Sequence, residues 1–247
     1  MPTSIKTTGV CLALFLFSSL SQAGGTAPEP TSNTSSQLSA YEASYETRAK
    51  GLSATLYREL KPSSDQTWQL SNRIEVLFSE IKDSSIFTVD DGQLKPFRYR
   101  YKNGFSSKRN FELLFDWKNN QVSGGRKPHP LSADSFDKLS FQEQLRLDLL
   151  AQGQQFSTKT YRIIDNKNIK QYRITKLGEE TLNTPAGSFH SLKLKQQNPT
   201  KDSYSLIWLA PNWQYFILKI EAIDKGKSEQ SLILKSANLD GKPITPQ

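Results

Sequence analysis

The sequence predicts an all-β domain that carries one helix. From Tyr41 onward apolar and polar residues alternate with period two. Asn, Asp and Gly pairs interrupt the alternation at short intervals, as hairpin turns between half-buried antiparallel strands do. One segment alone, 140–152, changes to helical spacing.

The first element is an export signal. Lys6 supplies its positive charge, Val10 to Phe17 ("VCLALFLF") its apolar stretch, and Ser21-Gln22-Ala23 a cleavage site flanked by small residues. The apolar run is far shorter than the ~20 residues of a membrane-spanning helix, so no transmembrane span is expected. Cleavage after Ala23 would remove the single cysteine, Cys11. The mature chain then has neither a disulfide framework nor a thiolate metal site. It also loses one lysine and no acid, so its charge falls one unit below the +8 of the full chain. Residues 24–40, "GGTAPEPTSNTSSQLSA", read as a flexible linker, because they bury too little apolar area to offset chain entropy. The remainder is one β-rich domain over 41–240, followed by a C-terminal tail at 241–247.

Within the domain, "YEASYETRAK" sets Tyr41, Ala43 and Tyr45 against Glu42, Ser44 and Glu46. "LSATLYREL" alternates Leu52, Ala54 and Leu56. "KPFRYRYK" puts Phe97, Tyr99 and Tyr101 on one face and Arg98, Arg100 and Lys102 on the other. "FELLFDW" groups Phe111, Leu113, Phe115 and Trp117, and "YFILKIEA" groups Phe216, Leu218 and Ile220. Turns are expected at Asp91-Gly92, Asn103-Gly104, Asn119-Asn120, Asp165 to Asn168 and Asp224 to Gly226, giving roughly ten or more strands. In "LSFQEQLRLDLLAQG", Phe141, Leu145 and Leu149 recur four apart, beside Leu150. Ser140 and Glu143 read as a capping box, and Gly153 as the residue just past the helix end. A lone amphipathic helix in a meander is expected to lay its apolar face on the concave side of the sheet.

Candidate chemistry is sparse. "NTPAGSFHSLKL" holds Ser188 and His190, but lacks the Gly-x-Ser-x-Gly of a nucleophile elbow. It reads as a tight turn entering a strand, with His190 sharing parity with Leu192 and Leu194 and so facing the apolar side or the rim. His129 lies between prolines in "KPHP". Two histidines without paired-ligand spacing predict no metal and no cofactor. Asp90-Asp91-Gly92 lacks the carboxylate spacing of a calcium loop. Gly124-Gly125, beside two basic residues, reads as a loop that could cradle an anion. In "RYRYKNGFSSKR" basic residues interleave with aromatics, which could suggest nucleic acid. A hairpin with its aromatic side in and its basic side out accounts for the same pattern, and export removes nucleic acid from reach. The candidate site residues are therefore Arg98, Arg100, Lys102, Lys108 and Arg109, as contacts for an envelope anion. No catalytic residue is expected.

In order and spacing, "YEASYE", "FDWKNNQV", "DKLSFQEQLRLDL", "TPAGSFHSLKL" and "IWLAPNWQYFILKIE" resemble the exported bacterial family known as domain of unknown function 3108, over about Tyr41 to Ser236. The resemblance implies a periplasmic fold in which a long antiparallel meander curves into a β-spiral or incomplete barrel wrapped around the helix. It transfers no catalytic motif. At the level of architecture it points to β-spiral proteins linked to envelope integrity and to carriers of lipoproteins. The expected role is a non-enzymatic periplasmic protein that supports envelope assembly or integrity by binding an envelope component or a protein partner. A carrier that shelters a lipid or other amphipathic ligand in a half-open barrel is the alternative. An envelope hydrolase is disfavoured by the missing motifs.

Overall fold

The computed structural model describes residues 38–246 except Lys50, Asp65 and Leu77. The expected signal peptide and all of the expected linker but its last three residues lie outside the described residues. The first strands are β1 (Tyr41–Ala49), β2 (Leu52–Ser64), β3 (Thr67–Val76), β4 (Ser79–Asp90) and β5 (Gln93–Asn103). Next come β6 (Phe111–Asp116), β7 (Gln121–Ser123), β8 (His129–Pro130) and β9 (Ser135–Phe136), followed by the helix α1 (Ser140–Gln152). The chain ends with β10 (Thr158–Ile164), β11 (Ile169–Thr184), β12 (Gly187–Gln197), β13 (Tyr204–Ala210), β14 (Phe216–Asp224), β15 (Lys227–Leu239) and β16 (Lys242–Pro243).

All sixteen strands belong to one sheet. Its order runs β8 to β1 in descending sequence, then β15 down to β9, with β16 added to β15. The antiparallel β1–β15 pair, from Tyr41 opposite Leu239 to Ala49 opposite Gln230, joins the two halves of the meander. The sheet does not close into a barrel, because its outermost strands β8 and β9 are not paired with each other. The two edges nevertheless come close. Arg126 N–H donates to the Asn166 carbonyl at 2.9 Å and to Asn166 Oδ1 at 3.1 Å. A Cβ on Gly125 would sit 2.8 Å from that carbonyl, so only glycine fits this seam. Arg126 N–H is thereby occupied, which removes it from any anion cradle that the Gly124-Gly125 loop could form.

The alternation predicted for β1 holds, with Tyr41, Ala43 and Tyr45 buried. That of β5 fails at one residue. A register shift leaves Phe87 opposite Pro96 and Ile86 opposite Arg98, so Phe97 bulges out and is exposed while Tyr99 is buried. Pro96 has no N–H for the ladder, and its carbonyl accepts from Trp117 Nε1 at 2.7 Å. Leu52, expected inward, is exposed at the β1–β2 tip, whereas Arg58 takes a buried position in line with Leu56 and Leu60. The Asn103-Gly104 turn is a longer loop, in which Asn103 Oδ1 accepts from Phe105 N–H and Ser106 N–H.

The domain also reaches beyond its expected limits. Leu38 and Ser39, placed in the linker by the sequence, are buried. The expected tail is bound to the domain: Lys242 and Pro243 pair with Leu239 and Asn238, and Ile244 is buried. Ile244 N–H donates to Ala237 O at 2.9 Å, and Thr245 O accepts from Trp213 Nε1 at 3.0 Å.

Candidate functional site

The helix spans the predicted residues but is not amphipathic. Nine of its residues are buried, and Ser140, Glu143, Gln144, Arg146 and Asp148 are among them. Each buried polar group needs a partner to offset its lost hydration. Glu143 Oε1 accepts from Tyr41 Oη at 2.7 Å and from Arg58 Nη2 at 3.3 Å, while Oε2 accepts from Arg146 Nη1 at 2.6 Å. Burial alone would raise the Glu143 carboxyl, but the Arg146 and Arg58 guanidiniums outweigh it and hold its pKa below the ordinary range. Gln144 accepts from Leu94 N–H at 2.7 Å and donates to Gly92 O at 3.0 Å. Asp148 accepts from Tyr161 Oη at 2.5 Å and from Lys159 Nζ at 2.7 Å.

The expected capping box is absent because Glu143 is committed to this network. Asp137 does the capping instead, its Oδ1 accepting from Leu139 N–H at 2.8 Å and Ser140 N–H at 3.0 Å. Its other oxygen accepts from Ser85 Oγ at 2.6 Å. Gly153 ends the helix as predicted, its N–H bonded to Leu149 O. The helix thus fills the hollow of the sheet. The void described beside it, lined by Phe141, Leu145, Ile207, Leu209, Ile217 and Ile220, measures about 20 Å³.

The larger concavities lie elsewhere. A cleft of about 680 Å³ is lined by side chains of β15, β1, β2 and β3, with Ala186 of the β11–β12 turn and Pro243 and Ile244 of the C-terminal strap at its border. Its chemistry is mixed. Glu42 stands opposite Glu59 in register, and Glu59 is paired with Lys61. Ser44 and Ser236 share a hydrogen bond of 2.7 Å. The Arg73 guanidinium lies 4.6 Å from the centre of the half-exposed Tyr57 ring and is ion-paired with Glu75. The cleft offers carboxylates, hydroxyls, the cations of Arg73 and Lys235, and one aromatic face beside Ala186, Pro243 and Ile244, a set suited to a partner with both polar and apolar groups.

The five basic candidates separate into two places. Arg98 and Arg100 reach across from β5 to Glu112 of β6, at 3.4 and 2.8 Å, and share its single negative charge. Lys102 stands opposite Lys82, which in turn stands opposite Arg73. With Arg100 these three line a hollow of about 340 Å³. Arg73 and Lys82 escape sequence reasoning because only strand register brings them beside Lys102. Lys108 and Arg109 sit apart from that face, in a 3-10 turn at the end of the sheet.

Of the remaining candidates, Ser188 and His190 share the exposed face of β12 with no hydrogen bond between them, and His129 lies elsewhere. His190 is exposed rather than facing the apolar side, because the end of the β11–β12 hairpin buries Phe189 and Ser191 instead. Its Nε2 lies 3.0 Å from Glu179 Oε2, and Ser188 is exposed opposite Asn183. His129 is buried on the edge strand β8, with its Nε2 unpartnered. Burial, helped by Lys127 and Arg162, lowers its pKa. "TPAGSF" is the predicted turn: Thr184 pairs with Gly187, and Thr184 Oγ1 accepts from Ala186 N–H at 3.1 Å. Among the described residues no cluster of three or more His, Cys, Asp or Glu could hold a metal. None of the described helices is long and apolar enough to cross a membrane.

The fold is similar to that of a beta-barrel-like protein of domain of unknown function 1849 from Brucella abortus, at 10% identity and a TM-score of 0.53, covering 82% of this chain and 98% of that one. Looser similarity is found to a candidate exported protein with a YmcC-like fold from Bacteroides fragilis (11% identity, TM-score 0.34, 80% and 95% covered). A candidate lipoprotein from Parabacteroides distasonis is comparable (15% identity, TM-score 0.32, 82% and 96% covered). No curated protein matches the chain. The sequence model of a protein family of unknown function, DUF3108, matches residues 44–228, so the chain belongs to that family.

Proposed function

We propose that this is an exported, non-enzymatic protein of the cell envelope that binds its partner on the outside of the curved sheet, in the cleft between β15 and β3. The interior carries this reading: among the described residues α1 packs its buried face in the hollow, and the void described beside it has room for a single water at most. A lipid carrier needs an apolar chamber of several hundred Å³. The outer cleft is large enough, and its lining mixes polar and apolar side chains. His129 lies apart from Ser188 and His190, and no hydrogen bond joins those two, which supports a role without catalysis; the N-terminal signal pattern supports export.

Native mass spectrometry tests the interior. The mature protein, purified gently, is compared with an organic-extracted sample. Equal masses are expected, and a lipid mass that disappears on extraction would overturn the reading in favour of the carrier. Photo-crosslinking tests the cleft, with the probe at Tyr57 or, as a control, at Leu177, which is exposed on β11. A discrete adduct at Tyr57 and none at Leu177 is expected. Equal labelling at both positions would sink the cleft as the binding site.

A further inference from the structure

Antiparallel pairing sends alternate connections to opposite ends of the sheet. The connections 49–52, 76–79, 103–111, 123–129, 164–169, 197–204 and 224–227 therefore share one end. Arg126 N–H to Asn166 O at 2.9 Å joins two members of this set, and Gly104 N–H to Glu80 O at 2.8 Å ties a third to the start of β4. These ranges contain nine basic residues and three acids, Asp165, Asp202 and Asp224. Asp165 is already paired with Lys170. Lys108, Arg109, Arg126, Lys127, Lys201 and Lys225 are all exposed. The opposite end has the reverse sign: connections 64–67, 90–93, 116–121, 184–187, 210–216 and 239–242 hold five acids and two bases.

The basic end also carries apolar side chains that the fold does not use. Leu52 (69% exposed), Phe78 (fully exposed) and Phe105 (55% exposed) sit on three successive connections there. They are three of the seven large hydrophobic residues found exposed. A lone exposed leucine needs no explanation, but apolar tips on successive loops of a basic sheet end form a functional pattern. The pattern fits a membrane interface, where apolar groups enter the boundary of the acyl chains and Lys and Arg meet anionic headgroups.

We infer that this end of the sheet docks on a phospholipid surface bearing anionic headgroups, with Phe78 and Phe105 inserted and Lys108 and Arg109 held at the phosphate level. The inference shares with the cleft reading only the assignment to the envelope. The acidic opposite end would point away from the surface, and the outer cleft on the strands would stay free for its partner.

The test is co-sedimentation of the mature protein with vesicles of phosphatidylglycerol and phosphatidylethanolamine, and with vesicles of phosphatidylcholine alone. Binding to the first, weakened by salt, and little binding to the second is expected. Reversing two interfacial charges in Lys108→Glu/Arg109→Glu should weaken partition at least about tenfold. Phe78→Ser/Phe105→Ser should also release the protein, while Tyr57→Ser in the cleft should not. All these side chains are exposed or half-exposed, so melting curves should match the parent and confirm that loss of binding is not loss of fold. The inference fails if the parent protein ignores anionic vesicles. It also fails if both tip variants bind as the parent does, or if Arg98→Glu/Arg100→Glu alone abolishes binding. Crosslinking at Tyr57 needs no lipid, so either reading can fail while the other stands.

Discussion

Replacing Glu143 by Gln should destabilise the protein more than any surface change. The side chains of Arg58, Arg146 and Glu143 are 3%, 2% and 0% exposed. The substitution keeps the shape and one acceptor but leaves two buried guanidiniums without a countercharge. Breaking a buried ion pair by removing one partner costs about 3–5 kcal/mol. In a domain of this size each kcal/mol lowers Tm by about 2–4 °C, so a fall on the order of 10 °C is expected. Urea unfolding followed by tryptophan fluorescence should show a lower midpoint with an unchanged slope. The triple change Arg58→Met/Glu143→Leu/Arg146→Met, which removes all three charges together, should recover much of the loss, since well-packed apolar replacements of buried ion groups are often tolerated. A Glu143→Gln protein within about 1 kcal/mol of the parent would refute the view that this network fixes the helix in place.

Two further outcomes follow from single positions. Burial raises the Asp137 carboxyl despite its bonds to Ser85, Ser140 and Leu139. A raised pKa in the folded state contributes stability that is present below the ordinary carboxylate range and is lost as pH rises through the folded value. Asp137→Asn should therefore lose less stability than the parent between acid and neutral pH, as read from urea midpoints across that range, and an unchanged pH profile would contradict it. Gly187 has φ 124° and lies against Pro246, whose Cγ would be 2.2 Å from an added Cβ. Gly187→Val should cost on the order of 2 kcal/mol and free the C-terminal strap, so that carboxypeptidase trims it faster than in the parent.

Much of the fold was legible because its signals are local. Period two marks strands, and Asp91-Gly92 and Asn120 do turn with positive φ, as their types suggest. The helix limits could be read from Phe141, Leu145, Leu149 and Gly153. What could not be read depends on pairing across the sheet. Arg58 stands where alternation demands an apolar residue, and nothing in "LSATLYREL" says that Glu143, 85 residues away, will meet it. Phe97 follows the alternation faithfully, yet a bulge beside Pro96 turns it outward. The five basic candidates look like one patch in sequence, but two share Glu112, register gives one to Arg73 and Lys82, and a 3-10 turn takes two to the end of the sheet.

The polar content of α1 also bears on where a ligand could go. A carrier built on this architecture would have to move its helix to admit an acyl chain. Here that movement would strip Glu143 from Tyr41 and Arg58, Gln144 from Leu94 N–H and Gly92 O, and Asp148 from Tyr161. Each neutral buried group left without a partner costs about 1–3 kcal/mol, and charged groups cost more. Those costs together would consume most of the roughly 5–15 kcal/mol that holds a typical domain folded. An apolar helix face could slide from the sheet for the loss of area alone, and lipid could replace that area. A helix fixed by directed polar bonds gains no such replacement from an acyl chain, which offers neither donors nor acceptors. The same residues that make this helix look poorly suited to a core therefore favour a fixed interior, as the proposed recognition on the outer cleft and at the basic end of the sheet requires.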